Sequence, residues 1–104
     1  MAQWIDVGAA EALKEGRPLA AEIEGYSILV MRCGEGLFAV ENRCTHDGEA
    51  LAGGDVEDCE IICPRHFARF DLKTGEALTP PAYEPLRTFR VRSTEGRLLV
   101  ELSE

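Results

Sequence analysis

Two short segments of the chain each combine a cysteine with a histidine. The first reads Cys44-Thr45-His46, and the second, after 16 further residues, reads Cys63-Pro64-Arg65-His66. The chain contains 2 histidines, and both lie in these segments. Thiolate sulfur and neutral imidazole nitrogen are ligands of zinc and of iron–sulfur centres. The pattern therefore predicts a metal centre that two loops hold from two sides.

The residues that flank the two segments make the pattern more specific. The first cluster loop of Rieske-type [2Fe-2S] ferredoxins resembles Cys44-Thr45-His46-Asp47-Gly48. The second cluster loop of that family is similar to Cys63-Pro64-Arg65-His66 followed by Phe70-Asp71 and Thr74-Gly75. The resemblance covers nearly the whole chain and includes the proline-bearing segment Thr79-Pro80-Pro81-Ala82. By these residues the chain is identified as a member of the Rieske-type ferredoxins.

The resemblance implies a cofactor, a ligand set and a function. One [2Fe-2S] cluster is expected per chain, with Cys44 and Cys63 on one iron and His46 and His66 on the other. The resemblance also implies an electron-transfer protein that is not itself an enzyme and has no catalytic residues. The expected partners are a flavin-dependent ferredoxin reductase, which supplies single electrons, and a terminal oxygenase, which receives them and commonly hydroxylates aromatic rings.

One residue of the second loop departs from the family pattern. Family members usually have glycine directly after the second histidine, whereas this chain has Phe67. Glycine adopts positive φ without steric cost, and phenylalanine does not. We therefore expect the backbone or the packing beside His66 to differ from the family norm, with the four ligands unchanged.

The resemblance also indicates a reduction-potential class. High-potential members carry an extra cysteine in each loop, at the positions of Glu49 and Arg65, and hydroxyl donors at the positions of Ala68 and Phe70. Imidazole ligands raise the potential relative to four thiolates, and the surrounding hydrogen bonds set its value. Without the extra disulfide and the hydroxyl groups, the chain resembles the low-potential, soluble ferredoxins.

Most of the elements that must position the two loops read as β-strands. Glycine turns separate predicted strands at residues 19–23, 26–32 and 37–42, after a short helical turn at 9–14. In the region of the ligands, the predicted strands are 60–63, 67–72 and a third near 77–78. Three prolines then stiffen the chain, and alternation predicts a closing hairpin of 86–92 and 97–102 that returns to the amino-terminal strands.

These elements predict a single all-β domain. Short antiparallel strands joined by turns form a β sandwich or barrel, and the family resemblance adds a small inserted cluster-binding subdomain, the arrangement of the Rieske fold. We predict a base built from residues 1–42 and 80–104. The cluster-binding subdomain is expected over about residues 43–79.

The charge balance restricts the partners. The chain has 104 residues, of which 19 are acidic and 11 basic, giving a net charge of −8. This charge argues against binding nucleic acid or an anionic membrane and favours a basic partner surface. Between residues 41 and 66 the sequence has seven acidic residues and only two basic ones, Arg43 and Arg65. The acidic residues are Glu41, Asp47, Glu49, Asp55, Glu57, Asp58 and Glu60.

Apolar segments are short throughout the chain. The longest uninterrupted one is Ile28-Leu29-Val30-Met31, and no basic segment precedes an apolar one at the amino terminus. Neither a signal peptide nor a membrane anchor is expected, and the predicted location is the cytoplasm.

Two further cysteines, Cys33 and Cys59, lie outside the ligand segments. Because the expected compartment is reducing, they are predicted to be free thiols that pack as small apolar side chains. One alternative gives Cys59, four residues before Cys63, a role as a spare ligand or a reactive thiol in iron–sulfur assembly or redox sensing.

Other functions share the same residues. The chain also resembles the small subunit of assimilatory nitrite reductase, and it could serve as ferredoxin to another oxygenase. In a different class of protein, Cys44, His46, Cys63 and His66 would surround one tetrahedral zinc ion in a structural module.

Overall fold

The computed structural model describes residues 2–14, 17–45, 48, 50–80 and 82–103. Within these residues the chain forms strands β1 to β10 and one short 3₁₀ helix. The strands are Ala2–Ala9, Leu19–Ile23, Tyr26–Cys33, Gly36–Glu41, Val56–Glu57, Glu60–Ile62, Arg69–Asp71, Thr88–Phe89, Val91–Thr94 and Arg97–Ser103. The helix, Ala10–Ala12, is shorter than the helical turn predicted for 9–14, because Ala9 still belongs to β1. The predicted all-β class is confirmed.

The strands form three antiparallel sheets. Their orders are β1-β10-β9, β2-β3-β4-β8 and β5-β6-β7, which we call the outer, middle and ligand sheets. Strand β10 pairs with β1 from Ala2 opposite Ser103 to Ala9 opposite Arg97, so the predicted return of the closing hairpin is confirmed. No helix of the described residues is long and apolar enough to cross a membrane.

The middle sheet lies between the other two. The four residues from Ile28 to Met31 of β3 are all fully buried, as expected for a strand covered on both faces. Successive side chains of a strand point to opposite faces. Val30 accordingly packs in one apolar cluster with Val100 of β10, whereas Leu29 packs in a second cluster with Phe70 of β7. The second cluster joins the middle sheet to the ligand sheet.

The ligand sheet is built from the residues between β4 and β8. Strand β6 at Glu60–Ile62 and strand β7 at Arg69–Asp71 fall within the predicted strands 60–63 and 67–72. The third predicted strand is reduced to a single bridge between Phe70 and Ala77. Strand β5 at Val56–Glu57 was not predicted, because its two residues sit among glycines and acids that read as a loop. The division into a base and a subdomain of about 43–79 stays a prediction.

One predicted strand is divided between two sheets. Residues 86–92 contain β8, which pairs with β4 of the middle sheet, and the start of β9, which pairs with β10 of the outer sheet. The carbonyl oxygen of Arg87 accepts the N–H of Glu41, and that of Arg90 accepts the N–H of Glu101. Alternation of apolar residues continues through such a crossing, so the sequence pattern does not reveal it.

The prediction that Cys33 and Cys59 are free thiols is wrong. The two residues form a disulfide, with their Cα atoms 5.6 Å apart. Cys33 ends β3 and Cys59 lies in the turn between β5 and β6, so packing of the ligand sheet on the middle sheet brings them together. A separation of 26 residues in the chain gave no sign of this contact.

Candidate metal centre

The two ligand loops follow strands of different sheets. Cys44 comes shortly after β4, and Cys63 directly follows β6. Both thiols are fully buried, belong to the same apolar cluster and take no part in a disulfide. His66 is exposed at the end of the second segment. The remaining predicted ligand, His46, lies outside the described residues, so the structure brings together the two cysteines and places His66 at the surface.

The two loops close in the same way. The N–H of Gly48 donates to the carbonyl oxygen of Cys44 at 2.8 Å, and the N–H of Phe67 donates to that of Cys63 at 2.9 Å. Each bond spans four residues and turns the chain back immediately after a cysteine. A further hydrogen bond, from the N–H of Cys63 to the carbonyl oxygen of Ala68 at 2.8 Å, stabilises the second loop.

Phe67 has a positive φ, a backbone conformation that a phenylalanine side chain disfavours. Its φ is +61°, in the left-handed region, and its side chain is 72% exposed. A side chain in this region costs roughly 1–2 kcal/mol relative to glycine. The two hydrogen bonds that close the loop hold the backbone there, and the exposed ring avoids steric conflict with the core.

Hydrogen bonds of Asn42, just after β4, support the segment that follows the first loop. The Asn42 side-chain oxygen accepts the N–H groups of Leu51 at 2.8 Å and Ala52 at 2.9 Å, and its amide nitrogen donates to Ser27 Oγ at 3.1 Å. Asn42 thus links the segment after the first loop to the start of β3. Sequence reasoning missed this residue, although a polar side chain at a strand end just before Cys44 was the available signal.

The proline loop, residues 79–85, contacts the first ligand loop and β7. The Thr45 hydroxyl donates to the carbonyl oxygen of Glu84 at 2.7 Å, and the Thr79 hydroxyl accepts the N–H of Arg69 at 2.9 Å. Ala82 is buried in the same apolar cluster as the two ligand-loop cysteines. This segment therefore connects the first ligand loop to β7 of the ligand sheet.

Close backbone approach explains one glycine of the site. A Cβ atom at Gly54 would collide with the carbonyl oxygen of Ile62, the residue just before Cys63. The N–H of Gly54 donates to the carbonyl oxygen of Leu51 at 3.0 Å, and the N–H of Ile62 donates to that of Asp55 at 2.9 Å. The chain between the two ligand loops is thus held directly against the strand that carries the second one.

The acidic surface beside the site is partly neutralised. Arg69 of β7 donates to Glu60 at 3.2 Å and to Glu57 at 3.5 Å, and these hydrogen bonds, chiefly the one to Glu60, raise the pKa of Arg69 above its ordinary value. Asp55 and Asp58 are exposed. Asp47 and Glu49, also part of the predicted acidic excess, lie outside the described residues.

The donor set fits an iron–sulfur centre. Two buried thiols without a disulfide partner suit thiolate ligands, because their charge in an apolar environment must be balanced by a cation. Within the part of the chain that the structure describes, no three His, Cys, Asp or Glu side chains group around one metal-ion position. The sequence completes the set of Cys44, Cys63 and His66 with His46.

Comparisons with known proteins agree with this donor set. The profile of the Rieske [2Fe-2S] domain matches residues 3–90. The ferredoxin component of a naphthalene 1,2-dioxygenase system from Pseudomonas aeruginosa is 34% identical, over 97% of this chain and 97% of that protein.

Solved structures share the fold as well as the sequence. The ferredoxin of carbazole 1,9a-dioxygenase from Nocardioides aromaticivorans has a TM-score of 0.89 at 32% identity, covering 94% of this chain and 96% of that one. A chain from a complex of reduced oxygenase and oxidised ferredoxin in carbazole 1,9a-dioxygenase has a TM-score of 0.87 at 32% identity, covering 93% of this chain and 91% of that one. This chain therefore belongs to the Rieske [2Fe-2S] family, as its two ligand loops predict, and the cofactor of that family is a Rieske-type [2Fe-2S] cluster.

Proposed function

We propose that this protein is the electron-transfer component of a ring-hydroxylating dioxygenase system. It takes single electrons from a flavin-dependent reductase and delivers them to a terminal oxygenase, and it is a carrier, not an enzyme. The observation that carries the proposal is the pair of matching ligand loops, which bury Cys44 and Cys63 together. The proposal is supported by the relatives, ferredoxin components of dioxygenase systems that match over nearly their whole length.

The proposed ligands are Cys44 and Cys63 for one iron and His46 and His66 for the other. The bound cluster supplies reversible one-electron chemistry. Support for the assignment comes from burial, since the two thiols lie in an apolar cluster and His66 is exposed. The apolar residues around the thiols keep water from the cysteine side of the centre. The exposed histidine side remains open to an electron-transfer partner.

The chain's own residues set the environment of the centre. At the positions where high-potential relatives carry hydroxyl donors, Ala68 and Phe70 are fully buried in the apolar cluster that contains both thiols. Neither side chain can donate a hydrogen bond to sulfur. Hydrogen bonds to the sulfurs of such clusters raise their reduction potential. This environment supports the assignment to the low-potential class.

The choice of partners is also part of the proposal. Structures of ferredoxin together with oxygenase exist for the carbazole system, whose ferredoxin is similar to this chain. The net charge of −8 and the exposed carboxylates Asp55 and Asp58 favour a basic docking surface on each partner. Electron-transfer contacts are small and short-lived, so charge is expected to act chiefly on the rate of encounter.

Transient kinetics tests the proposed function. The reduced protein is mixed without oxygen with an oxidised ring-hydroxylating oxygenase from its source organism, and the oxidised protein is mixed with NADH and a flavin-dependent reductase from that organism. We expect rapid reoxidation by the oxygenase and rapid reduction by the reductase, each rate rising with partner concentration until it saturates. In the control, serum albumin replaces the partner. If the fully loaded protein exchanged electrons with both partners no faster than in this control, the proposal would be contradicted.

A further inference from the structure

The disulfide between Cys33 and Cys59 joins two hairpin turns from different sheets. Cys33 pairs with Gly36 at the end of the β3–β4 hairpin, and Cys59 lies in the two-residue turn between β5 and β6. The closed loop runs from residue 33 to residue 59 and contains the whole first ligand loop. The bridge therefore fastens the ligand sheet to the middle sheet at one edge of their shared apolar cluster.

Cys59 occupies a position that its turn does not favour for a side chain. Asp58 and Cys59 have φ values of +51° and +59°, and they lie between the paired residues Glu57 and Glu60. A hairpin turn with two positive φ angles is of the kind in which asparagine followed by glycine is preferred. A cysteine in the glycine position strains the backbone, so local turn formation does not explain it. Contact with Cys33 does.

The two bridge cysteines differ in burial from the two ligand-loop cysteines. Cys33 and Cys59 are partly exposed, in contrast to the fully buried Cys44 and Cys63. Accessibility is what separates an exchangeable disulfide from an inert one, because exchange requires a thiolate to reach one of the two sulfurs. The four cysteines thus form two chemically distinct pairs, one at the candidate metal centre and one at the surface.

We propose that Cys33 and Cys59 are a second redox site, a thiol–disulfide couple that reacts with low-molecular-weight disulfides and thiols and controls how firmly the metal centre is held. In the closing step, one cysteine thiolate attacks a small disulfide and releases one small thiol. The second cysteine thiolate attacks the resulting mixed disulfide and releases the other. Two cysteine thiols and one small disulfide become one bridge and two small thiols, so the cysteine pair loses the two electrons that the small disulfide gains.

The consequence for the metal centre follows from chain connectivity. A bound cluster itself ties the first ligand loop to the second, so the bridge adds little while all ligands are engaged. When a ligand detaches, the bridge keeps the first loop and the ligand sheet together and favours rebinding, because it restricts the opened chain. Reduction of the disulfide should therefore speed loss of the cluster, whereas it should change the stability of the fully loaded protein only slightly.

Thiol counting in glutathione buffers tests the couple. The loaded protein is equilibrated anaerobically in defined ratios of reduced to oxidised glutathione, denatured in acid, alkylated and weighed by mass spectrometry. We expect two alkylated cysteines in oxidising buffers, four in reducing buffers and a single transition between them. Four in every buffer would show that the bridge does not form, and two in every buffer would show a permanent structural link; either result overturns the proposal.

Cluster loss tests the consequence. The decay of visible absorbance is followed in excess chelator for the bridged and the opened protein. We expect decay on the order of tenfold faster in the opened form. The double variant Cys33→Ser with Cys59→Ser should decay at the rate of the opened protein in every buffer, which also controls for direct attack of glutathione on the cluster.

A second variant separates the bridge from turn strain. Cys59→Gly removes the bridge but relaxes the turn, so its decay should still be fast although its hairpin is better formed. Equal decay rates for bridged and opened wild-type protein would overturn the proposal even if no variant folds. None of these measurements involves an electron-transfer partner, so their outcome is separate from that of the proposed function.

Discussion

Gly48 and Phe67 occupy equivalent positions in the two ligand loops. Each lies four residues after a ligand-loop cysteine, donates its N–H to that cysteine's carbonyl oxygen and has a positive φ, +76° for Gly48 and +61° for Phe67. The two ligand loops therefore share the same turn conformation. Glycine adopts this turn without steric cost, and phenylalanine adopts it with strain.

This equivalence predicts opposite effects of two substitutions on stability. Phe67→Gly should raise the midpoint of thermal unfolding by a few degrees, because relief of about 1–2 kcal/mol of strain exceeds the added chain entropy of glycine, about 0.5–1 kcal/mol. Gly48→Ala should lower the midpoint by a similar amount. Circular dichroism and visible absorbance measure both. A lower midpoint for Phe67→Gly would show that the exposed ring stabilises the loop.

Two adjacent glycines between the ligand loops, Gly53 and Gly54, should differ in how much their substitution by alanine destabilises the protein. Gly54→Ala should destabilise the protein by about 2 kcal/mol, because the new Cβ atom collides with the carbonyl oxygen of Ile62. Gly53→Ala is the matched control, since its φ of +93° is strained for alanine but the space around it is open. Its cost should be about 1 kcal/mol. Equal thermal shifts for the two variants would contradict the close approach of Gly54 to β6.

A surface ion pair predicts part of the acid sensitivity. Asp6 of β1 accepts two hydrogen bonds from Arg97 of β10 at 2.9 Å each, and chiefly for this reason the pKa of Asp6 is lowered from its ordinary value of 3.8. Because the folded pKa is the lower one, the stabilisation is complete above the unfolded value and is lost as pH falls through the folded value.

Asp6→Asn should therefore melt at a lower temperature than the wild type at pH 7. The gap should close as the pH is lowered below about 3.8. Comparing the two proteins at each pH cancels effects of acid on the cluster. A gap that persists in acid would show that the carboxylate form of Asp6 is not what stabilises β1 against β10.

The exposed acids beside the site predict a salt-dependent encounter. Asp55→Asn with Asp58→Asn should slow electron exchange with a partner at low ionic strength and change it little at high ionic strength, because screening removes the attraction. Glu57 is left unchanged because it pairs with Arg69. The control is Glu11→Gln with Glu95→Gln, which removes the same charge beside the outer sheet. Equal effects of the two double variants would indicate net charge alone.

Much of the fold could be predicted from local patterns. Strand β2 matches residue for residue, and β3 and β4 match to within a residue at their ends, because glycine turns separate strongly apolar strands. The region between the ligand loops was harder, because β5 is only two residues long and is defined by its pairing with β6. Pairing of this kind is tertiary and leaves no periodicity in the sequence.

In the candidate site, the ligand residues could be predicted from the sequence, whereas the contacts that support them could not. Two cysteine–histidine segments predict the ligands from residue type and spacing, and the structure places both cysteines in one buried cluster. The supporting contacts could not be predicted, since Thr45 and Glu84 lie 39 residues apart and meet only when the proline loop packs against the first ligand loop. The same limit produced the wrong prediction for Cys33 and Cys59. Their contact depends on how one sheet packs on another.

The central claim is that the two ligand loops hold a [2Fe-2S] cluster, and metal and sulfide analysis of the purified protein tests it most directly. The protein should be red-brown and contain two irons and two acid-labile sulfides per chain, as the ligand set implies. Cys63→Ser should abolish both the colour and the sulfide and lower the unfolding temperature, because a cofactor bound only by the folded state stabilises that state. A colourless protein with one zinc per chain and no sulfide would contradict the account.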